Sequence, residues 1–242
     1  MSGLKKLISE IFFPPDFTCD ICGIETFGTN ICNSCLKTIS FNDGNVCPVC
    51  GRKTTRPEIC IECKARAPLF VKAVSPLVYD GGTLKLIAKY KNGGAYLKEY
   101  FADLISAKLE NFPKFDCIVY VPMTKKAERK REYNQAKILA ESISKRINVP
   151  VIKNALIKTK DTAEQKSLSF KERKQNLSNC FKVEKHAELK DKDVLLVDDV
   201  FTTGATAEAI TEKLLKAGVK HVYFATVASV EYKPHIKNEK DR

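Results

Sequence analysis

The sequence is short of the features that tie a chain to a membrane or to histidine chemistry. No apolar run approaches the ~20 residues that a bilayer-spanning helix needs. The stretch Leu4–Phe13 is too short and too charged for a signal peptide, with Glu10 inside it. Leu4, Leu7, Ile8, Ile11 and Phe12 fall on one helical face that Pro14 and Pro15 stop, so residues 1–15 are expected to form an amphipathic helix docked on the body. A soluble, cytoplasmic protein is expected. Histidine is scarce: His186, His221 and His235 stand singly, none with a catalytic partner nearby in sequence. Acidic groups are in deficit, 29 against 41 Lys and Arg, for a net charge of +12. The deficit is local. Residues 1–64 carry seven basic and seven acidic groups, and residues 65–242 carry 34 against 22, which is the whole excess. A basic region of this kind favours polyanions, nucleic acid among them.

Cysteine, by contrast, is abundant and ordered. Eight of the ten form four Cys-x-x-Cys pairs, 19/22, 32/35, 47/50 and 60/63, and the second two pairs repeat the first two at an offset of 28 residues. Two such turns bring four thiolates into a tetrahedron around Zn²⁺, with Zn–S near ~2.3 Å. Disulfides would not persist in a cytosolic chain, and the even tandem spacing does not favour an iron–sulfur cluster. Two structural Zn²⁺ ions are expected, held by Cys19, Cys22, Cys32 and Cys35 and by Cys47, Cys50, Cys60 and Cys63. Spacing alone leaves a cross-braced use of the same pairs open. A closed Cys₄ site has no free coordination position, so its role is folding. Residues 16–66, with few large apolar side chains, need that metal to form a stable module. Cys117 and Cys180 lie outside the pattern and read as ordinary thiols.

The remaining residues, 67–242, alternate strand and helix patterns, as expected of a parallel α/β sheet. Strands are expected at 70–79 (interrupted by Pro76), 117–121, 149–157, 181–183, 194–197 and 221–229. Helices are expected at 83–89, 96–109, 133–147, 170–177 and 205–217, the last closed by Gly218. Between them lie a basic loop at 123–131, a polar loop at 158–169 and a polar tail at 231–242. The most informative run is Val194–Thr206. Val194–Val197 is continuously apolar, as in a central parallel strand. Asp198 and Asp199 fall where that strand is expected to end, and Thr202, Thr203, Gly204, Ala205 and Thr206 form a loop at the next helix N-terminus. Backbone N–H groups and the dipole there favour an anion, Gly204 permits φ > 0, and ligands of open α/β sheets sit beyond the strands' carboxyl ends. A phosphate cradle beside two carboxylates suits sugar hydroxyls or hydrated Mg²⁺.

This run resembles the signature of type I phosphoribosyltransferases, which bind 5-phosphoribosyl-1-pyrophosphate (PRPP). Further segments extend the resemblance: Pro14-Pro15 ahead of the cysteines, Val121-Pro122, Arg131-Glu-Tyr-Asn-Gln-Ala136, Gln165-x-x-Leu168 and Arg173-x-x-Asn176. Together they are similar to the ComF family, which joins an N-terminal zinc ribbon to a phosphoribosyltransferase-like domain and is named for competence, the uptake of DNA. The resemblance implies a type I phosphoribosyltransferase fold preceded by a double zinc ribbon. It implies that Asp198 and Asp199 hold the ribose hydroxyls, that Thr202–Thr206 hold the 5′-phosphate, and that Arg131 binds pyrophosphate, with Mg²⁺ accompanying PRPP. Residues 158–175 correspond to a flap, in which Lys166 and Arg173 are the candidates for shielding developing charge. Two departures matter. Glu132 stands where the family usually has glycine, and Thr202 stands where enzymes acting on 6-oxopurines have an Asp general base. The function so implied is PRPP binding in DNA uptake, with single-stranded DNA gripped by Lys125, Lys126, Arg129, Lys130 and Tyr133. A helicase or channel protein of the uptake machinery is the implied protein partner. The alternative is an active phosphoribosyltransferase of purine or nucleoside metabolism, passing the phosphoribosyl group to a nitrogen acceptor with release of pyrophosphate. Asn134 and Gln135 are either substrate contacts or helix caps.

Overall fold

The computed structural model describes residues 17–26, 29–160, 177, 180–184 and 188–232. The expected N-terminal helix, Lys166, Arg173, His186, His235 and the tail from residue 233 lie outside the described residues.

The chain begins with two cysteine ribbons whose backbones repeat as their sequences do. In the first, β1 (Phe17–Thr18) and β2 (Glu25–Thr26) pair antiparallel around the knuckle of Cys19 and Cys22. Thr18 faces Glu25 there, and 28 residues on, Val46 faces Lys53 in an isolated antiparallel bridge. Gly23 and Gly51 donate to the Cys19 and Cys47 carbonyls at 2.8 and 2.9 Å, both with positive φ. The second knuckle of each ribbon opens a short helix, α1 (Asn33–Leu36) and α2 (Ile61–Arg66). The Cys32 and Cys60 amides donate to the Cys19 and Cys47 sulfurs, each at 3.4 Å.

The body is built on a parallel sheet in the order β3 (Lys72–Val74), β9 (His221–Ser229), β8 (Asp193–Phe201), β5 (Cys117–Tyr120), with β4 (Leu77–Val78) also pairing with β9. Pro76, which has no N–H, separates β3 from β4. Asn42, from between the ribbons, fills that gap: Nδ2 donates to the Ser75 and Leu77 carbonyls at 3.0 and 3.1 Å and to Ser229 Oγ at 2.9 Å. All of β5, Val194–Val197 of β8 and every β9 residue after His221 are buried, which explains the apolar runs there. Two helices, α3 (Gly81–Lys91) and α4 (Leu97–Leu109), precede β5; α5 (Lys125–Arg131) and α6 (Gln135–Ile147) follow it. Helices α4 and α6 bury Leu97, Phe101, Ile105 and Leu139, Ile143 in the core. Arg146 clips them together through Asp103 Oδ1 at 2.6 Å and Glu99 Oε2 at 2.9 Å. After β6 (Leu156–Lys158) and β7 (Phe181–Val183), β8 leads into α7 (Ala205–Lys216), which buries Ile210 and Leu214.

Several expectations are corrected. The strand at 194–197 runs on to Phe201, because β9 continues to offer partners: Asp198 faces Thr226, Val200 faces Ala228 and Phe201 faces Ser229. Asp198 and Asp199 therefore lie within the strand rather than at its end. Residues 149–157 do not add a strand to the sheet. Val151 makes a single parallel bridge to Ile118, and β6 pairs antiparallel with β7 in a separate ribbon. The loop at 123–131 contains a helix, α5, capped by Thr124 Oγ1 accepting from the Ala127 amide at 3.2 Å. The next helix starts at Gln135 rather than Tyr133. The tail's first residues are held: the Tyr232 amide donates to the Lys53 carbonyl at 3.2 Å.

Candidate functional site

Strand β8 carries the carboxylate pair, and its turn into α7 forms the adjoining loop. Asp198 Oδ1 accepts from the Asp199 amide at 2.9 Å. Burial, reinforced by the neighbouring Asp199 charge, pushes the Asp198 carboxyl up to about 7, against the opposing pull of the Asp199 amide and Lys91. Asp199 Oδ2 faces Lys91 Nζ at 2.8 Å. Burial would lower the Lys91 ammonium, but the charge and hydrogen bond of Asp199 prevail and raise it. Lys91 is thus a cation set against the pair from the last turn of α3. In the sequence, Lys89, Lys91 and the Gly93-Gly94 turn form a basic corner between two helices, with no sign of what it faces.

The loop behaves as its glycine predicts. Gly204 caps α7 with φ +79°, and an added Cβ would come within 2.8 Å of Phe201 Cζ. Only glycine fits both constraints. Thr202 is exposed, Thr203 and Thr206 are half-buried, and Ala205 is buried. The Ala205 amide donates to Thr203 Oγ1 at 3.4 Å. Ala205 opens the helix, as expected, and the first amides of a helix have no intrahelical partner.

Arg131 is held beside this corner through Gln135. Arg131 Nη1 donates to Gln135 Oε1 at 3.4 Å, and Gln135 Nε2 donates to the Lys91 carbonyl at 3.5 Å. Tyr90 donates to the Gln135 carbonyl at 2.8 Å, and the Tyr133 hydroxyl donates to the Tyr90 carbonyl. Asn134 is a cap: its Oδ1 accepts from the Lys137 amide at 3.2 Å while Nδ2 donates to the Val121 carbonyl at 3.1 Å. Glu132 adopts φ +69°, a left-handed conformation that glycine would take without strain. Lys125, Lys126, Arg129 and Lys130 are exposed on α5, whereas Tyr133 is half-buried against Tyr90. His221 pairs with Asp193 at 2.7 Å, at the far end of β8 from Asp198.

The cysteines gather as two sequential quartets, Cys19, Cys22, Cys32, Cys35 and Cys47, Cys50, Cys60, Cys63, with the sulfurs of each within 4.8 Å of one another. Cys22 and Cys32 sulfurs are 3.9 Å apart, and Cys50 and Cys60 sulfurs 3.8 Å. A tetrahedron with ~2.3 Å metal–sulfur bonds has sulfur–sulfur edges of about 3.8 Å, so both quartets fit zinc. The cross-braced arrangement is not adopted. Arg52 and Arg66, which sequence reading passed over, join the second quartet to the β8–α7 loop. Arg52 Nε donates to Cys50 Sγ at 3.4 Å, and Arg66 Nη1 donates to the Thr203 carbonyl at 3.1 Å. No local pattern could have signalled the Arg66–Thr203 contact, since its partners are 137 residues apart.

Residues 133–242 match the phosphoribosyl transferase domain family, and residues 8–64 match the double zinc ribbon domain family. Among curated relatives, competence protein F of Haemophilus influenzae is 38% identical over 44% of this chain and 47% of its own length. The DNA utilization protein YhgH of Escherichia coli K12 is 29% identical over 63% of this chain and 66% of its own. The matched segment thus spans about half to two thirds of these relatives. A purine phosphoribosyltransferase structure from Pyrococcus horikoshii covers 60% of this chain and 95% of its own, at 21% identity and a TM-score of 0.34.

Proposed function

We infer that this chain, which belongs to the ComF family by its double zinc ribbon and phosphoribosyltransferase domain, binds PRPP and acts in DNA uptake, handling single-stranded DNA on its basic surface. The observation that carries the reading is the juxtaposition on one strand and its following turn: two carboxylates, a cation against them, and a glycine-capped helix N-terminus. Asp198 and Asp199 accept from the ribose hydroxyls. Residues 202–206 take the 5′-phosphate on backbone amides and threonine hydroxyls. Lys91 and Arg131, tied together through Gln135, receive the pyrophosphate. Mg²⁺ carried with PRPP neutralises the pyrophosphate, and Asp198 and Asp199 are hard oxygen donors of the type that would hold it. The second component is α5, whose four exposed cations form a short basic ridge for a phosphate backbone. The names of the relatives, competence and DNA utilization, accord with this use.

A titration of Mg-PRPP into the full chain, with and without single-stranded DNA, tests the reading. Saturable PRPP binding is expected, lost in Asp198→Asn/Asp199→Asn; unchanged binding in that variant would remove the assignment. Burial pushes the Asp198 carboxyl up to about 7, and its ionised form is both the stronger acceptor and the one that holds a cation, so binding is expected to strengthen as pH rises through 7 and to weaken below it. DNA affinity is expected to fall with salt and to weaken in the Lys125→Ala/Lys126→Ala/Arg129→Ala/Lys130→Ala variant. Transfer of the phosphoribosyl group to a nitrogen acceptor is the second reading. The Asp198 carboxyl favours it, since a group near 7 is matched to proton transfer at neutral pH. Pyrophosphate release with any nucleobase or amine acceptor supports it.

A further inference from the structure

One run of contacts crosses from the second cysteine quartet to the phosphate loop, and its parts are charged. Arg52, only 5% exposed, reaches Cys60 Sγ at 3.8 Å as well as Cys50, and its Nη2 donates to Glu62 Oε2 at 2.7 Å. The same Glu62 oxygen lies 3.3 Å from Arg66 Nη1, and that nitrogen donates to the Thr203 carbonyl. The Arg52 guanidinium also sits 5.9 Å from the centre of the Phe201 ring, the ring that abuts Gly204. Glu208, in the first turn of α7, accepts from the Leu69 amide at 3.1 Å, a second tie just beyond α2. Between these groups is a cavity of about 20 Å³, room for little more than one water.

The direction of the Thr203 carbonyl gives this run a purpose. In a planar trans peptide the carbonyl of one residue and the amide of the next point opposite ways. With the Thr203 carbonyl turned to Arg66, the Gly204 amide is turned away from Arg66, to the opposite side of the loop. Glycine on the left-handed side has no Cβ to oppose rotation of that peptide, so an outside contact must hold it. A charge-assisted hydrogen bond is the strong kind for that role.

We propose that Arg66 and Glu62, braced by Arg52 against the second metal site, are positioning residues that keep the Thr203–Gly204 peptide oriented for a 5′-phosphate. The proposal rests on the ribose-phosphate reading of residues 198–206. It makes the second ribbon part of the phosphate site's support, without contact with the ligand.

Full-length protein with Arg66→Ala, Glu62→Gln or Arg66→Lys tests it through ribose 5-phosphate and inorganic pyrophosphate affinities, zinc content, and hydrogen exchange at the 203–206 amides without ligand. Arg66→Ala is expected to weaken ribose 5-phosphate about tenfold, leave pyrophosphate affinity and two zincs per chain unchanged, and speed exchange at Ala205, whose amide donates to Thr203 Oγ1. Glu62→Gln is expected to act in the same direction with a smaller effect, and Arg66→Lys to recover part of the loss. Unchanged exchange in Arg66→Ala overturns the proposal, as does an equal loss for both ligands, which marks general destabilisation. If the wild type binds neither ligand, the ribose-phosphate reading fails, and the exchange comparison still decides whether Arg66 orders the loop.

Discussion

The described residues of 17–36 and residues 45–64 trace the same ribbon 28 residues apart, yet one is open to solvent and the other is sealed by the body. The first keeps Cys22 exposed and Cys32 half-buried, while all four cysteines of the second are buried. Ile24 and Arg52 occupy equivalent positions, each presenting its carbonyl to the first cysteine's amide, at 2.7 and 2.9 Å. Ile24 is 60% exposed; Arg52 is buried among sulfurs, Glu62, Phe201 and Tyr232. The first ribbon meets the body through Asp20, which accepts from Lys89 Nζ at 2.6 Å and Tyr96 Oη at 2.5 Å. The repeat therefore sets the metal knuckle alone. What each ribbon does for the rest of the molecule depends on the side chains placed around that knuckle.

Ligand loss is the most severe way to break this comparison. Cys50→Ser is expected to cost on the order of 5 kcal/mol and to lower the melting temperature of the whole chain, whereas Cys22→Ser costs roughly half as much. Melting curves with zinc counts per chain check this, and equal losses would mean that both ribbons support the body alike. Next in size is the equivalent pair. Arg52→Ala is expected to cost about 3–5 kcal/mol, because it leaves Glu62 and the quartet without their buried cation. Ile24→Ala should cost less than ~0.5 kcal/mol in the same denaturant titration. The finest contrast uses the glycines. Both have positive φ, but a Cβ on Gly51 would meet the Ala73 carbonyl oxygen at 2.5 Å, and one on Gly23 would meet nothing within 4 Å. Gly23→Ala is expected to cost about 1 kcal/mol and Gly51→Ala at least twice that. Parity would show that the second ribbon stands off from β3 in solution.

The knuckles, the β8 core and the turn at 202–206 into α7 were legible because each is a local pattern: paired cysteines, an unbroken apolar run, threonines around a glycine. The end of β8 was not, since Asp198 to Phe201 are kept extended by partners on β9 rather than by their own propensities. Helix α5 was hidden because Lys125–Arg131 has no apolar face to show a period; Thr124 was its only local sign. Lys91 stood in a visible basic corner, but its aim at Asp199 depends on where α3 ends relative to β8. No local pattern marks Arg52 and Arg66, since only tertiary packing gives them partners.

The setting of Arg52 also has a kinetic consequence. Synthesis proceeds from the N-terminus, and the first ribbon can close around its metal as soon as its own residues emerge. The second can gather its four sulfurs equally early, but its arginine stays uncovered until Phe201 and Tyr232 arrive from much later in the chain. Contacts of such sequence separation form slowly. The second ribbon is thus started among the first elements and sealed among the last, which makes completion of the sheet a condition for burying its charge.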